Sequence, residues 1–335
     1  MNTWNHLRKI QSRLADEISK QIFLSRLSYS ITDDYDYIQN IVQALPEGKI
    51  MAEPQNKAYI FGCGYYGKKL RKALPCSWQG FIDNNYQIRG GYIDGLKIFG
   101  PEEIPRDSYV YVVSKYHYAA MINQLQMLGF EQTKVMNIGK VISDMAKRQY
   151  FDLAALPEVE HECFIDAGAL NGDTSIAFLQ WAGKRAQHVF CFEPDDKNAE
   201  KCRGNLESVA GRENITVIQK AVWSHSTRLH FDVRANGTSS VADKGIEVEA
   251  TSIDEIVGDD PVTFIKMDVE GAEEEALKGS ECIIRTNKPK LAISVYHKPE
   301  DILEIPELIL SYRPDYRFYL RHYCLFDNET VLYAV

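Results

Sequence analysis

The spacing of hydrophobic and polar positions changes several times along the chain, and each change predicts a different kind of element. In residues 1–50, apolar residues recur near helical spacing from Leu7 to Leu24. Thr32-Asp33-Asp34 can cap a further helix, which ends before Pro46. We therefore predict a helical arm over residues 1–50.

The pattern in residues 51–145 is typical of a small α/β domain. Short apolar runs alternate there with helical stretches, and the predicted strands are 58–61, 80–82, 109–113 and 134–138. Strands that alternate with helices predict a parallel sheet, because each crossover helix returns the chain to the same edge of the sheet.

The alternation restarts and predicts a second, larger α/β domain over residues 151–335. Its predicted strands are 163–167, 188–193, 215–222, 262–268, 290–296, 316–321 and 330–335. The polar, strand-like stretch 223–261 predicts a hairpin insertion. No helix separates the last two strands, so we expect them to pair antiparallel at the sheet edge.

A glycine loop follows the first strand of the smaller domain. Gly62, Gly64 and Gly67 have the spacing that lets a backbone approach phosphate at a helix N-terminus, and Asp83 ends the next strand, where a ribose-binding acid belongs. Two interpretations stay open, a nucleotide site and a fold that keeps the turn without the ligand. Residues 60–67, 80–85 and 95–103 resemble the sugar-nucleotide-binding domain of bacterial sugar O-acetyltransferases.

In the larger domain, the strand that ends at Asp166 leads into a glycine turn and a helix, which is the layout of an S-adenosylmethionine site. Asp166 can face the methionine amino group, and Gly168 lets the backbone approach the ligand. Asp173 and Thr174 can cap the helix, and capping alone would also explain both residues. Glu193 ends the next strand, where an acid accepts hydrogen bonds from ribose hydroxyls.

Two later strands add candidate catalytic residues. Lys266, Asp268 and Glu270 end one strand and point towards the same edge of the sheet as Asp166. A structural ion pair is the alternative role for Lys266, since a buried lysine needs a partner. His297 ends the following strand and can act as a general base near neutral pH, although a lone histidine is more often an ordinary polar residue.

The larger domain resembles the FkbM family of S-adenosylmethionine-dependent methyltransferases. The segments that carry the resemblance are 164–174, 192–195, 221–222, 251–256, 265–273, 277–279 and 331–335. The resemblance implies a seven-stranded Rossmann-like methyltransferase sheet and O-methylation of a hydroxyl, often on sugars. With the residue analysis it predicts S-adenosyl-L-methionine bound by Asp166, Gly168, Asn171, Asp173, Thr174, Glu193, Ala221 and Asp268. The predicted catalytic residues are His297, Asp268, Glu270 and Lys266. Leu170 and Asp173 depart from the smaller residue and the glycine that the family often has at these positions.

Composition and charge narrow the possible partners. The net charge is −9, but residues 1–150 carry +5 and residues 151–335 carry −14. The acidic balance disfavours nucleic acid as a partner and is compatible with a cationic cofactor. Seven cysteines without a C-x-x-C pair indicate neither a disulfide framework nor a zinc site, which favours the cytoplasm. We expect no metal, since Asp268 and Glu270 have no obvious third carboxylate, and no transmembrane segment.

The sequence therefore predicts an α/β protein with a helical arm at 1–50, a nucleotide-binding or sugar-nucleotide-binding domain at 51–145 and an O-methyltransferase domain at 151–335. The expected acceptor is a small molecule or glycan, with a sugar nucleotide bound by the smaller domain, and the oligomeric state stays open. Two alternatives are a non-catalytic nucleotide-binding scaffold protein of a glycan pathway and an NAD-dependent sugar oxidoreductase. The second is disfavoured, because the loop from Gly168 to Gly172 lacks the GxGxxG spacing.

Overall fold

The computed structural model describes residues 3–51, 57–209, 214–233, 239–241 and 245–335. The chain divides into two compact units. The first unit comprises Met1–Ile31, Tyr150–His322 and Glu329–Val335, and the second comprises Thr32–Gln149 and Tyr323–Asn328. Parts of the predicted hairpin insertion, residues 234–238 and 242–244, lie outside the described residues.

The helices and strands are numbered in chain order. The chain begins with α1 (Thr3–Arg13) and α2 (Glu17–Thr32). The second unit holds α3 (Asp36–Ala44), β1 (Ala58–Phe61), α4 (Tyr65–Ala73), β2 (Trp78–Ile82), β3 (Tyr92–Ile93), β4 (Leu96–Phe99), β5 (Tyr109–Val112), α5 (Tyr118–Met127), β6 (Val135–Asn137) and α6 (Ile138–Arg148).

The first unit continues after this with two more groups of elements. The first group is β7 (Glu162–Ala167), α7 (Asp173–Ala182), β8 (Ala186–Phe192), α8 (Asp196–Glu207), β9 (Ile215–Ile218), β10 (Ala221–Val222), β11 (Thr227–Val233), β12 (Ser239–Val241) and β13 (Ile246–Thr251). The second group is α9 (Ile253–Val257), β14 (Phe264–Met267), α10 (Glu273–Lys278), α11 (Glu281–Asn287), β15 (Lys290–Ser294), α12 (Asp301–Tyr312), β16 (Phe318–His322) and β17 (Thr330–Ala334).

The main sheet of the first unit has seven strands in the order β16-β17-β15-β14-β7-β8-β9. Strands β7, β8, β9, β14 and β15 are parallel, whereas β17 runs antiparallel to both β15 and β16. The expected antiparallel pair at the sheet edge is confirmed. Strand β7 lies between β8 and β14, so the strand order reverses beside it, which is where ligands bind in open α/β sheets.

A small second sheet of the first unit has the order β10-β13-β11-β12. The sequence predicts one continuous strand over 215–222, but the structure divides this stretch between the two sheets. Ile215–Ile218 pairs with β8 in the main sheet, and Ala221–Val222 pairs with β13 in the small sheet. The two residues between these strands redirect the chain.

The N-terminal segment of the first unit packs on the edge strand β16. The Ala15 amide donates to the Phe318 carbonyl at 2.8 Å, and the Leu320 amide donates to Ser19 Oγ at 3.0 Å. Residues 14–19 of the predicted arm thus cover a sheet edge, a common way to protect an unpaired strand. The proposed divisions of the chain near residues 50 and 150 stay a prediction.

The second unit contains a six-stranded sheet in the order β3-β4-β2-β1-β5-β6. Strands β1, β2, β4, β5 and β6 are parallel, and β3 pairs antiparallel with β4. The α/β fold class with two Rossmann-like sheets is therefore confirmed. In the described parts of both units, no helix is long and apolar enough to cross a lipid bilayer.

Candidate active site

A cavity of about 740 Å³ opens at the carboxyl ends of the central parallel strands of the first unit. It is lined by residues of the β7–α7 turn, the start of α8, strands β10 and β13 and the turn after β14: Gly168, Leu170, Phe192, Glu193, Pro194, Asp195, Asp196, Lys197, Asn198, Gln219, Ala221, Val222, Ile246, Glu247, Val248, Glu249, Asp268, Val269, Glu270 and Ala272. The cavity thus lies where the reversal of strand order predicts a ligand.

The turn after β7 requires glycine at position 168. Gly168 has φ of 82°, and a Cβ atom there would lie 2.0 Å from the Asp268 carbonyl oxygen. The Lys266 ammonium donates to the Gly168 carbonyl at 2.7 Å and to the Ala167 carbonyl at 3.2 Å. Lys266 therefore fixes the turn that forms one wall of the cavity.

Asp166 and Lys266 form a buried ion pair inside the sheet. Lys266 Nζ lies 2.9 Å from Asp166 Oδ1, and Ser175 Oγ donates to Asp166 Oδ2 at 2.7 Å. Burial opposes the charge on Lys266, but the charges of Asp166 and Asp268 outweigh it and raise the pKa of Lys266. Neither Asp166 nor Lys266 lines the cavity, and Lys266 makes the ion pair that is its alternative predicted role. The catalytic role of Lys266 stays a prediction.

Glu193 lies at the cavity wall with its carboxylate held in place. Its Oε2 accepts a hydrogen bond from the Leu170 amide at 2.9 Å, and its Oε1 accepts one from the Asp195 amide at 3.0 Å. Burial raises the pKa of Glu193. Each carboxylate oxygen has a second lone pair, so Glu193 can still accept hydrogen bonds from a ligand in the cavity.

Helix α7 begins differently from the prediction. Gly172, with φ of 84°, occupies the N-cap position, and no side chain caps the helix. The capping role predicted for Asp173 and Thr174 is therefore wrong, because a left-handed glycine makes the turn into the helix instead. Asn171 donates to Asp173 Oδ2 at 2.9 Å, and none of these three polar residues lines the cavity.

Two tyrosines hold Asp268 at the opposite wall. Tyr150 Oη donates to Asp268 Oδ2 at 3.0 Å, and Tyr296 Oη donates to Oδ1 at 3.3 Å. Burial opposes ionisation of Asp268, but the charges of His297 and Lys266 and the hydrogen bond from Tyr150 lower its pKa. Asp268 is therefore a fixed carboxylate at the cavity.

Glu270 follows Asp268 and also lines the cavity. It has φ of 55°, a left-handed conformation that non-glycine residues rarely adopt and that occurs often at functional sites. Burial is the main cause that raises the pKa of Glu270 to about 7, with Asp268 and Glu273 adding to it against the opposing charge of His297.

His297 lies behind these acids, between three carboxylates. Its Nδ1 is 2.9 Å from Glu273 Oε1, and its Nε2 is 3.5 Å from Asp268 Oδ1 and 3.7 Å from Glu270 Oε2. Burial lowers the pKa of His297, but the close contact with Glu273 and the charges of Asp268 and Glu270 raise it to about 10. The ring does not line the cavity.

The segment of the chain that forms this cavity matches a known protein family. Residues 166–318 match the family model described as the methyltransferase FkbM domain, and this span includes all the predicted cofactor residues of the first unit. Residues 166–318 are an FkbM methyltransferase domain. The match confirms the predicted family resemblance over these residues and, with it, S-adenosyl-L-methionine as the cofactor that the resemblance implies.

Several solved structures are similar to this chain. The chain is similar to the methyltransferase FkbM of Methylobacillus flagellatus KT, with a TM-score of 0.55 and 22% identity over 95% of this chain and 99% of the other. Fibrillarin of Aeropyrum pernix, solved with natively bound S-adenosyl-L-methionine, matches with a TM-score of 0.36 and 13% identity over 57% of this chain and 74% of the other. A SAM-dependent methyltransferase of Aquifex aeolicus gives a TM-score of 0.35 and 15% identity, with coverages of 59% and 98%. No curated protein matches the chain.

The FkbM domain brings some predicted residues to the cavity and leaves others behind it. Those that line the cavity are Gly168, Glu193, Ala221, Asp268 and Glu270. Those that do not are Asp166, Asn171, Asp173, Thr174, Lys266 and His297.

Two parts of the site are not predicted by the sequence, namely the wall formed by Ile246–Glu249 and the partners Tyr150, Tyr296 and Glu273. The alternation of apolar and acidic residues in β13 is a sequence signal that could have indicated the wall. Tyr150 gives no such signal, because tertiary folding brings it to the site from a distant position in the chain.

The glycine loop of the second unit has a tightly closed backbone. Gly62 has φ of 116°, and a Cβ atom at Gly67 would lie 2.0 Å from the Gly62 carbonyl oxygen. Asp83 accepts hydrogen bonds from the Cys63 amide at 3.1 Å and from the Asn85 amide at 2.8 Å. A Cβ atom at Gly64 would meet no atom within 4 Å. The nucleotide site at Gly62, Gly64, Gly67 and Asp83, and the acetyltransferase-like resemblance, stay predictions.

Proposed function

We propose that the FkbM domain is an O-methyltransferase that transfers the methyl group of S-adenosylmethionine to a hydroxyl of a sugar, glycan or related metabolite in the cytoplasm. One observation carries the proposal. One cavity has a glycine turn and a ribose-type acid, Glu193, on one side and, on the other, Glu270 and the carboxylate of Asp268, which two tyrosines hold in place. These are the features that a bound cofactor and an adjacent hydroxyl need.

The charge of the cavity supports a cationic methyl donor. Among the described residues that line it, seven are carboxylates and one is a lysine. Two of the acids are neutralised, since Glu249 pairs with Lys220 at 3.3 Å and Glu247 with Arg228 at 2.8 Å. The rest leave an acidic surface that attracts the sulfonium and ammonium groups of S-adenosylmethionine. Gly168, Glu193 and Ala221 would hold the cofactor.

Methyl transfer needs alignment more than activation. The sulfonium is a good leaving group, so the oxygen of the acceptor displaces it in line while the acceptor hydroxyl loses its proton. Correct positioning of the two reactants can contribute about 7–11 kcal/mol to lowering the barrier. A general base adds roughly 10²–10⁴-fold in rate.

Access favours Glu270 as that base. Glu270 lines the cavity, whereas both ring nitrogens of His297 face carboxylates and its ring does not line the cavity. Asp268 lines the cavity too, but it already accepts hydrogen bonds from Tyr150 and Tyr296. In this proposal, Asp268 orients the acceptor and His297 positions the two acids.

Turnover with methyl-labelled S-adenosylmethionine and a panel of sugars and glycans tests the function. We expect the labelled methyl group to be bonded to an ether oxygen in at least one acceptor. Glu270→Gln should lower kcat by roughly 10²–10⁴-fold, because it removes the base, while the Kd of S-adenosylmethionine stays unchanged. Glu274→Gln, a control that makes the same chemical change at a residue outside the cavity lining, should keep full turnover. Full turnover by Glu270→Gln would contradict the assignment of Glu270 as the base. Labelled methyl groups bonded only to nitrogen or carbon atoms of the acceptors would contradict O-methylation.

The proposal includes a role for the second unit. The loop at Gly62, Gly64 and Gly67 would hold a sugar nucleotide that serves as, or carries, the acceptor. The open space at Gly64 supports an approach of phosphate to that backbone.

A further inference from the structure

Three ligand-type side chains meet behind the carboxylate wall of the cavity. Asp268 follows β14, Glu273 begins α10 and His297 follows β15, and one ligand atom from each lies within 4.8 Å of those of the other two. The sequence predicts no metal, because it offers no obvious third carboxylate beside Asp268 and Glu270. The fold supplies the third carboxylate as Glu273.

Buried polar atoms in this cluster lack aligned partners. Glu273 is fully buried, and its Oε1 accepts a hydrogen bond from the Val269 amide at 2.9 Å. Within the described part of the chain, Glu273 Oε2 has no hydrogen-bond partner. Neither ring nitrogen of His297 makes an aligned hydrogen bond with a described residue, although the side chain is only 10% exposed. Unpaired polar atoms are costly to bury, so a ligand that pairs with them would stabilise the cluster.

We propose that Asp268, Glu273 and His297 bind a divalent first-row transition-metal ion. One imidazole and two carboxylates form a mixed nitrogen and oxygen donor set, which suits such ions better than Ca²⁺ or Mg²⁺. The imidazole must be neutral to donate its lone pair, so binding of the metal releases the proton of His297.

The position of the site gives the ion a role that rests on the proposed function. The ion would lie next to Asp268 and Glu270, where the acceptor hydroxyl is expected. A metal there would bind the hydroxyl oxygen, make its proton more acidic and leave that proton for Glu270 to accept. The acceptor class would then be a hydroxyl compound that can coordinate a metal, such as a vicinal diol.

Electron paramagnetic resonance of MnCl₂ added to the metal-stripped full chain tests the site without any need for turnover. We expect the signal of free Mn²⁺ to fall until one equivalent is bound. Glu273→Gln keeps the oxygen that accepts from Val269 and should weaken Mn²⁺ binding at least tenfold. Glu275→Gln, a matched change on the same helix, should leave Mn²⁺ binding unchanged.

The outcomes separate the metal site from the proposed function. Wild-type protein that binds no Mn²⁺, or Glu273→Gln protein that binds it as tightly as wild type, would overturn the metal site. His297→Ala provides a second test if Glu273→Gln fails to fold, and it should also weaken Mn²⁺ binding at least tenfold. The Kd of S-adenosylmethionine is measured on the same samples. If the proposed function is correct, this Kd stays unchanged whether or not the protein binds Mn²⁺.

Discussion

Two buried lysines in the main sheet of the first unit show how position decides the role of a residue. Lys266 pairs with Asp166 at the carboxyl end of β7, and Lys290 pairs with Glu162 at its amino end, at 2.6 Å. All four side chains are at most 3% exposed. Only Lys266 also donates to the Gly168 carbonyl beside the cavity. The sequence predicted that Lys266 needs a partner, but not that it serves the turn.

Substituting each lysine separates stability from cofactor binding. Lys266→Met and Lys290→Met should each lower the free energy of unfolding by about 3–5 kcal/mol, because each leaves a buried carboxylate unpaired. Only Lys266→Met should also weaken binding of S-adenosylmethionine, by about tenfold, through loss of the bond to Gly168. Urea unfolding and calorimetry check the two effects. Equal cofactor affinity in both variants would show that Lys266 has no part in shaping the turn.

At the scale of elements, hydrophobic periodicity was sufficient for most of the main sheet. The predicted strands 163–167 and 330–335 correspond to β7 and β17 within a residue at each end. Periodicity could not show that 215–222 divides between two sheets, because both halves are apolar and the division depends on pairing with β8 and β13. Nor could it show that β16 is covered by residues 14–19, since that contact joins the two ends of the chain.

That edge contact should make stability depend on pH. Asp16 pairs with Arg321 of β16 at 2.6 Å. Burial opposes the ionised form, but hydrogen bonds from Arg321 and Ser19 lower the pKa of Asp16 to about 2, below its ordinary value of 3.8. A carboxyl group whose pKa is lower in the folded state stabilises the fold above about pH 4, and the contribution disappears as the pH falls towards 2.

Asp16→Asn measures this contribution. After allowance for solvent screening of a partly exposed pair, the variant should lose about 1 kcal/mol of unfolding free energy at pH 6. The difference from wild type should shrink as the pH falls from 4 towards 2. Urea unfolding across this range gives the comparison. A difference that stays constant with pH would mean that the ionised form of Asp16 does not stabilise the edge.

At the scale of the whole molecule, the cavity explains part of the negative charge of the second half of the sequence. The excess of acid in residues 151–335 includes the carboxylates that line the cavity of the FkbM domain. The site could be predicted wherever residues follow a strand directly, as with Gly168, Glu193, Asp268 and Glu270. It could not be predicted where tertiary contacts bring in Tyr150 and Glu273, or where a predicted ligand such as Asp166 turns inwards to a buried lysine. The division of the chain into arm, smaller domain and larger domain remains a proposal.

The most direct test of the methyl-donor site is calorimetric titration of the full chain with S-adenosylmethionine, for wild type and Glu193→Ala. Glu193 is the acid that would accept the ribose hydroxyls, and loss of two hydrogen bonds to a charged group corresponds to at least about 100-fold in Kd. Glu200→Ala, the same change at an exposed position of α8, is the control. We predict one cofactor bound by wild type and by Glu200→Ala, and a Kd at least about 100-fold higher for folded Glu193→Ala protein. Unchanged affinity in Glu193→Ala, or no binding by wild type, would contradict the assignment of this cavity as the methyl-donor site.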